Sequence, residues 1–504
     1  MQDRIGIIDL GSNTTRLIVM AYQRNCCFKL IDEVSEVVRL AEGVGEDQML
    51  QEQPMHRAIE ALKLFSTFCR ATNVGKIIAA GTSALREAAN QAQFLDTLKR
   101  ETDLELRILS AEAEAYYSYL GAVNSLPVTD GFVIDTGGGS TQVSALRDRQ
   151  FIHSFSQQAG VIRFTNRYVQ SDPISKRDFR ALEQAAAESF ASLDWFRATD
   201  ERQLIGLGGT ARNLARIDQK RRNYPLGITH GYVLTFAALD DIVNNLRAST
   251  QREREAIPGL SRDRADVILA GGVILRRLMQ QGNFDQMLIS GQGLREGLFY
   301  EFFLKDQLQP LFDDLRGFSV QNLAQTYDYE AQHAEKVRQL SLSLFDQLWP
   351  LHGYGAWERE LLGYAALIHD IGMQVGYYDH HKHSAYLVLN AALQGFNHRE
   401  VIILALLARS HRKGDIDAKP YSQILEFDDE ERLMRLGALL RIAEYLERSR
   451  GQVVESLHVE ISEDSIKVHV QAAGDVTVEV WDANRRTRLF KKAYGKDIEI
   501  VHGA

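Results

Sequence analysis

Cysteine is scarce in this chain: there are three in 504 residues, with Cys26 and Cys27 adjacent and Cys69 alone. That spacing supports neither a disulfide framework nor a zinc cluster, so a reducing, cytoplasmic setting is expected. Long apolar runs are missing too. No stretch of about 18 consecutive apolar residues occurs, which excludes an ordinary membrane-spanning helix. Asp9, Asn13 and Arg16 also break the N-terminal apolar stretch that a signal peptide would need. Positive charge is not in excess, since 58 Lys and Arg stand against 67 Asp and Glu for a net charge of −9. A globally basic nucleic-acid binder is thereby excluded, whereas a local basic groove for a polyanion is not, because binding follows where the charges lie. We expect neither a nucleic-acid nor a membrane partner.

What is present is an ordinary globular composition, 45% hydrophobic and 25% charged, with length for about three or four domains. The most informative stretch is Asp135-Thr136-Gly137-Gly138-Gly139-Ser140-Thr141, directly after the apolar run Gly131-Phe132-Val133-Ile134. A strand ending in an acid and three glycines leaves backbone N–H groups without side-chain cover. Gly137, Gly138, Gly139, Ser140 and Thr141 are therefore candidates for approaching phosphate oxygens. Asp135 can hold a hard cation such as Mg2+ beside them. The N-terminus repeats this grammar: an apolar strand reaches Asp9, Gly11, Ser12 and Asn13 form a polar turn, and a second apolar strand follows. The two acids stand 126 positions apart, so two similar half-domains are expected, each offering one phosphate-gripping hairpin. Paired hairpins of this kind resemble the fold shared by actin, sugar kinases and the heat-shock chaperone ATPases, where a phosphate chain lies between the halves.

The first half-domain is expected over residues 1–124. Ile77-Ile78-Ala79-Ala80 reads as a buried strand leading to Gly81-Thr82-Ser83-Ala84-Leu85-Arg86. Arg86, just past a strand end that should face the cleft, is a candidate phosphate clamp, because guanidinium offers forked donors. Ser110 reads as the N-cap of the next helix. Glu112 there offsets the helix dipole, whereas Glu114, one turn in, can project into the cleft. The second half-domain is expected over 125–303, with Gly208, Gly209 and Thr210 forming another Gly-rich turn after an apolar strand.

Taken in order, these motifs, together with Gly271-Gly272 and Ser290-Gly291-Gln292-Gly293-Leu294-Arg295-Glu296-Gly297, are similar to those of the exopolyphosphatase and guanosine pentaphosphate phosphatase (Ppx/GppA) family. The resemblance covers residues 1 to about 303. It implies hydrolysis of a terminal phosphoanhydride, in inorganic polyphosphate or in the pentaphosphate alarmone pppGpp. It also implies Glu114 as general base for the attacking water, Asp9 and Asp135 at a Mg2+ or Mn2+ site, and Arg86 on phosphate. Processive exopolyphosphatase is the leading reading, an alarmone phosphatase is its rival, and a catalytically weak polyphosphate- or nucleotide-binding regulator is the third. A homodimer is expected. One departure stands out: Gln142 follows Thr141 where the family usually has Glu, and a neutral amide is a weaker ligand for a hard cation.

From about 304 to 451 the pattern turns helical. His333, the pair His369-Asp370 and the later acid Glu444, on a stripe with Leu433 and Leu440, resemble the HD metal-phosphohydrolase domain and imply a second divalent metal. The last acid of that pattern is normally Asp and here is Glu444, so a structural remnant supporting the polyphosphate channel or a dimer is the leading reading and the metal site the alternative. In 452–504, Leu457 to Ile461, Ile466 to Val470 and Val476 to Val480 alternate apolar and polar as strands do. Arg448, Arg450, Arg485, Arg486, Arg488, Lys491 and Lys492 form a candidate track for a long polyanion. The expected fold class is thus α/β: two actin-like half-domains across a cleft, an all-α HD-like domain and a small α+β or β C-terminal domain.

Overall fold

A computed structural model describes residues 3–45 and 47–503. Two compact units result, Met1–Asp313 and Asp314–Ala504. The first contains two sheets. Asp3–Leu10 (β1), Thr14–Gln23 (β2), Cys27–Val37 (β3), Lys76–Gly81 (β4) and Leu106–Ile108 (β5) pair in the order β3-β2-β1-β4-β5. The second sheet uses Gly131–Thr136 (β6), Thr141–Arg147 (β7), Gln150–Gln157 (β8), Gln203–Leu207 (β9), Val233–Thr235 (β10) and Gln286–Ile289 (β11). Its order is β10-β11-β9-β6-β7-β8.

Each sheet starts from an antiparallel meander of three strands and adds two parallel strands on the other side of its first strand. The chain therefore uses one α/β plan twice, the actin-like arrangement that the paired turns foreshadow. β1 is central and buried on both faces at Ile5, Ile7 and Ile8, which is why it reads as a continuous apolar run instead of alternating. Each such side chain contributes about 1.5 to 3 kcal/mol by leaving water. The duplication extends to the turns: Gly11 N–H bonds Thr14 O at 3.2 Å, and Gly137 N–H bonds Ser140 O at 2.9 Å.

The two halves exchange a helix. Ala111–Val123 follows β5 in the chain but packs on β6, β7 and β8, whereas Leu294–Phe303 packs on β1. Phe28 of β3 meets the rings of Phe299, Tyr300 and Phe303 edge-on. The first unit also runs past the expected boundary at 303. Asn124, fully buried, donates to Pro310 O at 2.7 Å and accepts from Phe312 N at 3.0 Å, pinning that segment to it. The finer division at 124 and 451 is our proposal.

In the second unit, helices from Leu315–Thr326 to Asp429–Leu446 are followed by Val454–Ile461 (β12), Ser465–Ala472 (β13) and Asp497–His502 (β14). One sequence expectation is corrected: residues 476–480 are not a strand but lie at and in the helix Thr477–Asn484. β13 and β14 are parallel, and a parallel pair needs a crossover, which this helix and Arg488–Tyr494 supply. Asp475 Oδ1 accepts from Thr477 N at 2.9 Å at the helix start, and buried Glu479 accepts from Ser449 N at 3.1 Å. Both small helices pack on Asp429–Leu446.

Candidate active site

In the first unit the two glycine and hydroxyl turns meet. Ser12 Oγ lies 3.0 Å from Ser83 Oγ. A Cβ on Gly139 would come within 2.7 Å of Ser83 Oγ and 3.1 Å of Ser12 Oγ, so glycine is what allows the second turn to approach the first. Carbonyl oxygens of both turns are engaged from behind. Ser12 O accepts from Ala41 N, Asn13 O from Val38 N and Arg39 N, and the carbonyls of Gly137, Gly138 and Gly139 accept from Val161, Ile162 and Gly160. The N–H groups of Ser12, Asn13, Gly138 and Gly139 have no hydrogen-bond partner among the described residues. Such amides form an anion-binding concavity.

Asp9 and Asp135 line one cavity of about 150 Å3, together with Ser12, Asn13, Gly137, Gly138, Gly208 and Gly209. Ser118 Oγ donates to Asp135 Oδ2 at 2.7 Å. Burial raises the Asp135 pKa, and the Ser118 hydrogen bond opposes this. Gly208, at φ +82°, gives its turn the left-handed conformation, and a Cβ there would stand 3.0 Å from Asp135 Oδ1. Asp9 keeps some exposure toward the cavity, yet its Oδ1 is enclosed and has no hydrogen-bond partner. Burial pushes its pKa up to about 6 against the opposing charges of Arg295 and Arg16. An enclosed, unpaired carboxylate oxygen facing a second acid fits a hard divalent cation.

Glu114 is buried, whereas Glu112 is exposed, because Ser110 accepts from Ala113 N at 3.1 Å and so sets the phase of the helix. Arg86 Nη1 donates to Glu114 Oε2 at 2.9 Å and to Leu109 O at 2.9 Å. Burial raises Glu114 to about 7; Arg86 opposes the shift, while Asp135 and Asp9 reinforce it. Glu114 and Arg86 lie beside the cavity and are not part of its wall.

Three residues named as candidates for phosphate do not line the cavity. Thr141 Oγ1 donates to Ala159 O at 2.7 Å, Thr210 is buried against Gly271, and Ser140 Oγ accepts from Gln142 Nε2 at 2.8 Å. Thr141 and Thr210 are buried, and Ser140 keeps its own O–H free to donate.

Sequence reasoning missed the arginines. Arg16, Arg212, Arg264 and Arg295 all line the cavity. Burial lowers Arg212 to about 10, with Arg16 and Arg295 adding to the shift. Burial also lowers Arg16 and Arg264, again with a neighbouring arginine contributing. Arg295 alone is raised, because Glu296 and Glu33 outweigh its burial, and it pairs with Glu33 at 2.6 Å. Among the described residues, Arg16, Arg212 and Arg264 have no acid within 4.0 Å. Arg295 sits in a motif the sequence reading had singled out, and Arg16 faces Asp9 across the β1–β2 hairpin; Arg264, from a short 3-10 turn, left no local signal. A second cavity of about 400 Å3 shares Ser12 and Gly138 with the first and carries Arg163 and Arg167.

In the second unit His333, His369, Asp370 and Glu444 do come together, with ligand atoms all within 4.8 Å of one another. Burial pulls the His369 pKa down, but Asp370 and Glu444 outweigh it and hold it at about 9. The basic track is largely neutralised within the unit. Arg450 pairs with Asp370 and Glu330, Arg448 and Arg486 with Asp482, Lys491 with Asp497, and Arg488 and Lys492 approach Asp415. Arg485 lies over the Trp481 ring. No helix among the described residues is long and apolar enough to cross a membrane.

A duplicated actin-like fold that brings two acids and two amide-lined turns to one arginine-walled cavity defines a phosphoanhydride hydrolase. The chain belongs to the Ppx/GppA phosphatase family, whose model matches residues 18–306, and the family's domain III matches residues 315–486. Among solved structures it is similar to the Ppx/GppA family member of Aquifex aeolicus, at 27% identity over 61% of this chain and 99% of that one, with a TM-score of 0.53. It is likewise similar to an exopolyphosphatase from Cytophaga hutchinsonii, at 25% identity over 62% of this chain and 100% of that one, with a TM-score of 0.57.

Proposed function

We propose that the cleft is an exopolyphosphatase site, hydrolysing terminal phosphoanhydride bonds of inorganic polyphosphate and releasing orthophosphate processively, with Mg2+ or Mn2+ as cofactor. The observation that carries this reading is the set of three arginines without acid partners beside two turns with free N–H groups. Buried like charges are costly, and a chain of phosphates is the ligand that relieves them. Among the described residues, neither the 150 Å3 cavity nor its 400 Å3 neighbour has an aromatic wall on which a guanine could stack. That favours a linear polyphosphate over pppGpp.

The terminal phosphoryl group would lie against the N–H groups of Ser12, Asn13, Gly138 and Gly139, with Arg16, Arg212 and Arg264 on the following phosphates. Asp9 and Asp135 would hold the cation, which when bound neutralises charge on the phosphoryl oxygens. Glu114, with a pKa near 7, accepts a proton from the attacking water, and Arg86 orients it. The departing chain is left one phosphate shorter. The reading includes a homodimer, which light scattering of the full-length protein tests.

Phosphate release from long-chain polyphosphate and from pppGpp at matched concentrations, with Glu114→Gln as control, decides between the readings. Faster release from polyphosphate is expected. Faster release from pppGpp overturns the substrate assignment, and rates no higher than those of Glu114→Gln overturn the assignment of Glu114.

A further inference from the structure

The turns proposed to hold the terminal phosphoryl group border two cavities, not one. Ser12 and Gly138 line both the 150 Å3 cavity and the second cavity of about 400 Å3, whereas Gly139 lines only the second. A Cβ on Gly138 would stand 3.1 Å from Ser12 Cβ and 3.0 Å from Ile162 Cδ1, a side chain of the second cavity. The arginines divide between the two spaces. Arg16, Arg212, Arg264 and Arg295 line the first, and Arg163 and Arg167 line the second.

Hydrolysis gives this partition a direction. The water oxygen bonds to the terminal phosphorus as the bridging P–O bond breaks, with the two oxygens roughly in line. The shortened chain keeps the electron pair, Glu114 takes the water's proton, and orthophosphate is formed at the turns. With the chain on the arginines of the first cavity, water arrives from the other direction. The second cavity carries Ala84 and Glu87, which stand on either side of Arg86, the partner of Glu114. A processive enzyme keeps the shortened chain while orthophosphate departs, so the product needs a way out that the chain does not fill.

Resting on the exopolyphosphatase reading, we propose that the second cavity is the exit for orthophosphate and holds it transiently on the way. Arg167 has no acid within 4.0 Å among the described residues. Arg163 Nη2 pairs with Glu87 Oε2 at 2.9 Å, and its Nη1 donates to Gln158 Oε1 at 3.2 Å. Arg163 lies on the helix Val161–Tyr168 that follows β8 of the second sheet, and Glu87 follows β4 of the first, so the pair spans the cavity. A departing phosphate displaces Glu87 from Arg163, and the returning acid expels it. Both arginines are exposed, so solvent and salt weaken their hold, as an exit requires.

The test uses full-length protein carrying Asn166→Cys, an exposed position that lines the second cavity. A bulky maleimide attached there corks the cavity, and parent protein treated with the same reagent controls for Cys26. The first turnover on long-chain polyphosphate is followed twice, by acid quench for bond cleavage and by a fluorescent phosphate sensor for release. Cleavage is expected to stay within about twofold of the control while release slows about tenfold, because product departure becomes limiting. Unslowed release overturns the proposal, as does equal slowing of cleavage and release. If circular dichroism shows the labelled protein unfolded, inhibition of the unlabelled enzyme by added orthophosphate decides. Orthophosphate in the exit and polyphosphate in the first cavity bind together, so inhibition should persist at saturating polyphosphate. It should weaken about fivefold in the double variant Arg163→Met and Arg167→Met, with the KM for polyphosphate moving less than about twofold. Inhibition that saturating polyphosphate abolishes overturns the exit. Absence of cleavage in the quenched parent overturns the exopolyphosphatase reading itself, and the exit with it.

Discussion

Arg86 and Glu114 form a partly buried ion pair, with the guanidinium Nη1 2.9 Å from Glu114 Oε2 and also bonded to Leu109 O, so the carboxylate is held in one orientation. Burial raises Glu114 to about 7 although Arg86 opposes the shift. As a base, Glu114 works only when deprotonated, so the rate should rise with pH through about 7. Glu114→Gln should lower kcat by about 10^2- to 10^4-fold with little change in KM. Arg86→Ala removes the stabilising cation and should move the acid limb of the pH–rate profile to higher pH. An acid limb that stays in place would mean that another group controls it.

The cavity arginines trade stability for binding. Arg212 is held down to about 10 by burial and by Arg16 and Arg295, which means its charge is disfavoured in the ligand-free protein. Arg212→Gln should raise the Tm of the ligand-free enzyme, raise the KM for polyphosphate about tenfold and flatten the dependence of KM on salt. A substitution that lowers Tm and leaves KM unchanged would assign Arg212 to the scaffold.

Asp9 makes a related prediction with a definite pH window. Its pKa is raised from 3.8 to about 6, chiefly by burial, so the folded protein binds this proton more tightly than the unfolded chain does. The raised pKa contributes stability below about 3.8, and that contribution is lost as pH rises through about 6. Discounted for its partial exposure to the cavity, the loss is about 2 kcal/mol. In metal-free protein, Asp9→Asn should therefore melt higher than the parent at pH 7.5 and alike at pH 3.5, as followed by calorimetry.

The parts of this site that could be read from sequence are those fixed locally. An acid, a glycine and a hydroxyl at the end of an apolar run determine a turn, and both turns are present with the same hydrogen bond. Glu114 was legible because Ser110, four positions earlier, sets the helix phase. Arg212 and Arg264 were not, since a helix and a 3-10 turn deliver them to the cavity only through tertiary packing. Thr141 and Thr210 do not line the cavity, because local sequence does not set how much of a Gly-rich turn reaches it. Residues 476–480 were misread as a strand, because five residues of alternation cannot reveal that β13 takes its second neighbour from residues 497–502.

Gln142 lies directly across the β6–β7 hairpin from Asp135, in the register where Arg16 lies across from Asp9. Directly opposed residues of an antiparallel pair share one face, with Cβ atoms about 5 Å apart. Gln142 Nε2 is spent on Ser140 Oγ at 2.8 Å, so the amide offers a cation beside Asp135 only a neutral oxygen. In Gln142→Glu the second carboxylate next to Asp135 would strengthen attraction for a hard divalent ion, and Ser140 would turn to donate to it. Mg2+ titrations of phosphate release should show the half-saturating concentration falling several-fold in this variant, with the maximal rate changing less. Identical Mg2+ curves for parent and variant would separate Gln142 from the cation site and leave it the single task of holding Ser140.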